Sequence, residues 1–109
     1  FTAPVQLPHG AIVKELRVGW RDGSDYEADL VLQRRSMLDV TQTPDEMAFV
    51  PSEGSFGLLK EGVWTDDTIS NAAVDNEDYT YYLVVLLPPT VEDIQLYGVV
   101  IEYEIAEPY

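Results

Sequence analysis

"YTYYLVVLL", residues 79 to 87, decides the fold. Aromatic and branched aliphatic side chains fill it, it is too short for a helix of ordinary length, and Pro88-Pro89 closes it. That combination predicts a strand ending where proline removes the backbone donor. Alternation puts Tyr79, Tyr81, Leu83, Val85 and Leu87 on one side and Thr80, Tyr82, Val84 and Leu86 on the other. Both sides are apolar, so the strand is expected inside a sheet with cover on both faces. A second sheet supplies one cover. A loop of this chain or a neighbouring subunit supplies the other, since a small sandwich normally leaves one face of each sheet wet.

Immediately upstream lies "VDNED", residues 74 to 78, where three acids and an amide run into the strand. Asp75, Asn76 and Asp78 are the candidate metal ligands of the chain, with calcium as the cation their oxygens would suit. The competing reading is a turn, because short Asp and Asn side chains accept hydrogen bonds from nearby backbone N–H groups. EF-hand spacing is absent, as is any glycine-aspartate repeat, and "DGSD" at 22–25 fails the same test. The structural turn is the reading taken, with no cofactor expected.

Working outward, the other segments alternate as well. "LRVGW" (16–20) sets Leu16, Val18 and Trp20 against Arg17 and Gly19, in a strand expected to begin near Ile12. "DLVLQRR" (29–35), "EMAFV" (46–50) and "GVWTDD" (62–67) read as further strands. In "IQLYGVVIEYEI" (94–105), Tyr97, Val99, Ile101, Tyr103 and Ile105 form the expected inward row, and Glu102 and Glu104 face out. "RDGSD" (21–25) and "PSEGSFG" (51–57) supply turns and breakers. The prediction is an all-β chain of one domain, residues 1–109, built as an antiparallel two-sheet β-sandwich or jelly-roll-like fold.

Composition narrows the functions. Hydrophobic residues make up 46% of the 109, enough for a packed core despite 20 acids against 6 bases. The net charge of −14 argues against nucleic acid, whose phosphates require a basic face. The longest apolar run, Leu83–Leu87, is far too short for a membrane-spanning helix, so no membrane insertion is expected. Without cysteine there is no disulfide framework and no thiolate site. A chain opening on Phe1 with no basic and apolar leader reads as a processed protein or a fragment. The charge is uneven. Five bases and five acids share residues 1–35, while the remainder carries fifteen acids and only Lys60. Two ends of such different charge suit head-to-tail pairing between copies; the plainer reading is a solvated acidic face.

Catalytic patterns are scarce, and no enzyme is expected. His9 in "LPHGA" is the sole histidine, no serine sits in a G-x-S-x-G elbow, and no glycine-rich phosphate loop occurs.

Three stretches carry a resemblance. "VQLPHGAIVKELRV" (5–18), "ISNAAVDNEDYTYYLVVLLP" (69–88) and "IQLYGVVIEY" (94–103) resemble a β-sandwich module at the C-terminal end of uncharacterised secreted or surface bacterial proteins. The shared pattern is Leu-Pro-x-Gly-Ala, then Asp-Asn-x-x-Tyr-x-Tyr-Tyr, then Leu-Tyr-Gly-Val-x-Ile-x-Tyr, in order over residues 5–103. These are turn and core positions. The resemblance implies a fold and an extracellular or cell-surface setting, and it carries over no catalytic or binding residue. The acidity after residue 36 and the connection "DVTQTPDEMAFVPSEG" (39–54) depart from the pattern.

Two functions follow. The first is a structural module that self-associates as a homo-oligomer in a filament, surface layer or virion, with Tyr79, Tyr81, Tyr82, Val84 and Leu86 as its core and contact strand. Its extended end "FTAPVQLP" either adds to a neighbour's sheet or lays Val5 and Leu7 into its own. The second is polysaccharide binding, with Tyr26, Phe56 and Trp64 as ring platforms beside Glu27, Asp66 and Asp67. The plainer role for each ring is a lid folded onto the core.

Overall fold

The structure is a computed structural model that describes residues 2–22, 28–52, 60–86 and 94–105. Seven strands run in chain order: β1 (Thr2–Val5), β2 (Ala11–Asp22), β3 (Asp29–Ser36), β4 (Asp45–Pro51), β5 (Lys60–Asp66), β6 (Tyr79–Leu86) and β7 (Ile94–Ile105). No helix occurs among the described residues. The strands form a four-stranded sheet ordered β1-β6-β3-β4 and a three-stranded sheet ordered β5-β2-β7, every pairing antiparallel. The fold is the all-β, two-sheet sandwich that the alternation predicts. Every connection except β3–β4 passes from one sheet to the other.

The core shows how the apolar rows meet. Leu16, Val18 and Trp20 of β2 face Leu30 and Leu32 of β3, Met47 and Val50 of β4, and Tyr81 and Val85 of β6, all buried. In β2 the buried positions change phase, from Ala11 and Val13 to Leu16, Val18 and Trp20. A strict period of two would turn one set outward. A bulge between Val13 and Glu15, where Lys14 is passed over in the pairing with β7, absorbs the extra residue and keeps both sets inside. A second irregularity, between Leu32 and Gln33 against β4, lets consecutive Met47 and Ala48 both face inward.

β6 lies between β1 and β3, with Thr2–Val5 on one side and Asp29–Ser36 on the other. Its inner row is Tyr79, Tyr81, Leu83 and Val85, all packed against the core. The first strand belongs to its own sandwich: Val5 packs on the core and Leu7 is buried. Leu87 and Pro88-Pro89, the turn from Gly23 to Asp25, and the loop after Ser52 lie outside the described residues.

The two long strands of the smaller sheet differ in what they bury. β2 is its centre and keeps its apolar row dry. β7 is its margin, and the inward row expected from alternation is only partly covered. Val99 and Ile101 pack on the core, whereas Tyr103 is 41% and Ile105 51% exposed. Alternation assigns a side chain to a face; it says nothing about whether that face is covered.

Candidate functional site

The acidic turn takes its place from the segment before it. Val74 donates its N–H to Ala11 O at 2.8 Å and accepts from Gly10 N at 2.9 Å, while Ala73 bridges Ile12. The chain thus arrives beside the start of β2 and must reverse into β6. Gly10 allows the matching bend, with φ of 82° in the left-handed region that glycine enters without cost. Asp75 makes the reversal. Its Oδ1 accepts the N–H groups of Glu77 at 3.0 Å and Asp78 at 3.3 Å, and its carbonyl accepts the N–H of Tyr79 at 3.1 Å. Asn76 donates through Nδ2 to Leu7 O at 2.7 Å, and its N–H donates to His9 Nδ1 at 3.1 Å. The Asp78 carbonyl accepts from Met37 N at 2.8 Å.

Asp75 and Asn76 therefore hold the turn through their side chains, and Asp78 through its backbone N–H and C=O. Repulsion from Asp75, with lesser help from partial desolvation, raises the pKa of Asp78 above the usual carboxylate range, which is what uncompensated neighbouring acids do. Among the described residues no three His, Cys, Asp or Glu side chains gather as a metal-holding group. His9, the sole histidine, serves as an acceptor for Asn76 rather than beside a serine hydroxyl. Ser52 is fully buried, and its Oγ accepts the N–H of Ala28 at 2.8 Å. Ser36 Oγ accepts from Leu38 and Asp39 N–H groups. Beside the turn, a depression of about 480 Å³ is lined by Val5, Leu7, Met37, Asn76, Tyr79 and Tyr81 among others, and it is open to solvent.

The candidate ring platforms separate. Tyr26 and Phe56 lie outside the described residues. Trp64 stands on β5 opposite Val18 of β2, partly buried and packed against the core, rather than on a loop.

The charge asymmetry of the chain is partly cancelled in space. Lys14 of β2 meets Glu104 of β7 at 3.5 Å, and Arg17 meets Glu102 at 3.3 Å and Glu15 at 3.2 Å. Arg34 of β3 binds Asp45 of β4 at 2.8 Å and lies 3.8 Å from the ring centroid of Tyr79. Bases from the neutral end are thus spent on acids of the acidic end within one molecule, and the head-to-tail pairing expected from charge loses those partners.

The outer face of the four-stranded sheet carries a row of apolar residues. Register sets Thr2 beside Val84, Val84 beside Val31, and Val31 beside Phe49, one row across all four strands. Val31 is only 2% exposed on this outward side. Phe49 is 39% and Leu86 51% exposed, and Tyr82 and Val84 are half-buried. Among the described residues no strand lies over the outer face of β6.

On the smaller sheet, Gly19 and Gly98 are paired opposite each other. A Cβ at Gly19 would lie 3.4 Å from the Tyr97 Cβ, in contact with it. A shallow trough of about 350 Å³ follows this pair, flanked by Val63, Val100 and Arg17.

No helix among the described residues is long and apolar enough to cross a membrane. No protein-family model, curated protein or solved structure matches the chain.

Proposed function

We propose that this chain is a non-catalytic assembly module that packs against copies of itself through the outer face of the β1-β6-β3-β4 sheet. The observation that carries the reading is the exposed apolar pair Phe49 and Leu86, with half-buried Tyr82 and Val84, on the outer face of this sheet. Apolar surface left in water at a sheet face favours burial by about 25 cal/mol per Å², and such patches mark interaction surfaces more often than isolated exposed residues do. The acidic turn supports a structural role too, since its carboxylate and amide groups hold the entry to β6. The resemblance of the turn and core motifs to secreted and surface modules favours an extracellular, cell-surface or virion setting, in a filament or layer.

Polysaccharide binding is the second class of function. Trp64 packs against the core, which makes it a poor stacking platform, so assembly is the reading taken.

Light scattering after size exclusion tests it. Wild-type protein is expected to associate with rising concentration, and Leu86→Asp to weaken that association about tenfold or more. A clean monomer at the highest soluble concentration rejects the reading.

A further inference from the structure

A sandwich presents sheet edges, and an unpaired edge strand is a template for another strand unless something blunts it. Three edges here are blunted. β1 is four residues long and contains Pro4, which has no N–H to offer. β4 is covered: Phe49 N–H donates to Asp66 Oδ2 at 2.9 Å, and Met47 O accepts Ser70 N–H at 2.9 Å. β5 is seven residues long, begins Lys60-Glu61-Gly62 and ends on Asp66.

β7 is less protected: its bulge falls at Tyr97 and its charges at Glu102 and Glu104, and no strand among the described residues lies beyond its free edge from Gly98 to Ile105. It runs twelve residues, contains no proline, and pairs on one side only, with β2. From Gly98 to Ile105 no residue of β7 is passed over in that pairing. Its inward row loses cover along its length, from Val99 and Ile101 on the core to half-exposed Tyr103 and Ile105. Its outward row carries Glu102 and Glu104, beside Arg17 and Lys14 of β2, with Arg17 shared between Glu102 and Glu15. Two bases against three acids leave this edge with far less repulsion than −14 on the whole chain suggests.

We propose that β7 pairs antiparallel with β7 of a second copy about a two-fold axis at Ile101, joining two three-stranded sheets into one of six. The reason for a copy, rather than an unrelated strand, is self-complementarity. With Ile101 opposite itself, Val99 faces Tyr103 of the other copy, Val100 faces Glu102, and Gly98 faces Glu104. Inward residues meet inward residues, aromatic meets β-branched, and no carboxylate lies directly opposite another. An axis at Glu102 sets that carboxylate against itself, and a shift of register by one residue turns every side chain to the wrong face. This pairing rests on the assembly reading and extends it. One isologous contact stops at a dimer, whereas the sheet face and the β7 edge together give each copy two contacts, which is what a filament requires.

The chain has no cysteine, so engineered ones report cleanly. A Val100→Cys/Glu102→Cys protein is expected to form a covalent dimer on mild oxidation, with peptide mapping joining position 100 of one copy to position 102 of the other. Tyr103→Lys should raise the dimer Kd about tenfold or more, while Leu86→Asp leaves the cross-linking yield unchanged. If cross-linking fails but association sensitive to Leu86→Asp persists, the β7 pairing is overturned and the assembly reading stands. A wild-type monomer that does not cross-link overturns both. Linkage of position 100 to itself, or β7 pairing seen only with an added unrelated strand, also overturns the proposal.

Discussion

The hydroxyl of Tyr81 accepts the backbone N–H of Asp75 at 2.8 Å. One bond thus ties a core side chain of β6 to the acidic turn that launches the strand. Tyr81 is only 4% exposed, so its ring fills the interior while its polar end reaches back six residues. This is the tyrosine-corner device of antiparallel sandwiches, in which a buried tyrosine locks the approach to its own strand. It makes the turn and the core a single unit.

Tyr81→Phe keeps the ring and removes the acceptor, leaving the Asp75 N–H without its partner. The expected loss is about 1–2 kcal/mol by chemical denaturation. Tyr81→Ala, which also empties part of the core, should cost about 3–5 kcal/mol. Equal stability of the Phe variant and wild type would show that the bond contributes nothing.

Asp75→Ala removes the acceptor for Glu77 and Asp78 N–H and should cost about 1 kcal/mol, with Asp75→Asn retaining most of it. The Asn variant also removes the main repulsion on Asp78, whose raised pKa should fall towards its ordinary value in a carboxyl NMR titration. Because Oδ1 of Asp75 is engaged by two backbone donors, added calcium should leave the melting temperature unchanged. A calcium-dependent rise in melting temperature that Asp75→Ala abolishes would restore the cation reading.

Asp29 stands on the outer sheet face between Leu86 and Pro51, and its Oδ1 is buried with no hydrogen-bond partner among the described residues. Desolvation raises its pKa above the ordinary value. The folded state then holds this proton more tightly than the unfolded state, so the contribution of Asp29 to stability is fullest below the unfolded pKa. It is lost as pH rises through the folded one. Asp29→Asn should accordingly be more stable than wild type at pH 7, and the advantage should vanish below about pH 3. Denaturation curves at the two pH values check this, and an advantage that persists in acid would refute the assignment.

Period two and turn chemistry made six of the seven strands and the DNED reversal legible from the chain alone, because both depend on neighbours within a few residues. Asp75 acts on residues two and three away, and Leu16, Val18 and Trp20 declare their shared face by spacing. Strand order is a different kind of fact. Arg17 meets Glu102 across 85 positions, and nothing in the spacing of either residue announces the other. The two apolar sides of residues 79–86 did place β6 inside a sheet, between β1 and β3, but alternation does not reveal that β7, equally apolar inward, stands at a margin with Tyr103 and Ile105 half in water. The bulge at Lys14, the irregularity between Leu32 and Gln33, the inward setting of Trp64 and the apolar row through Val31 arise from pairings between distant segments. A side chain's face is local information, and the company it keeps there is settled by which strands lie next to each other.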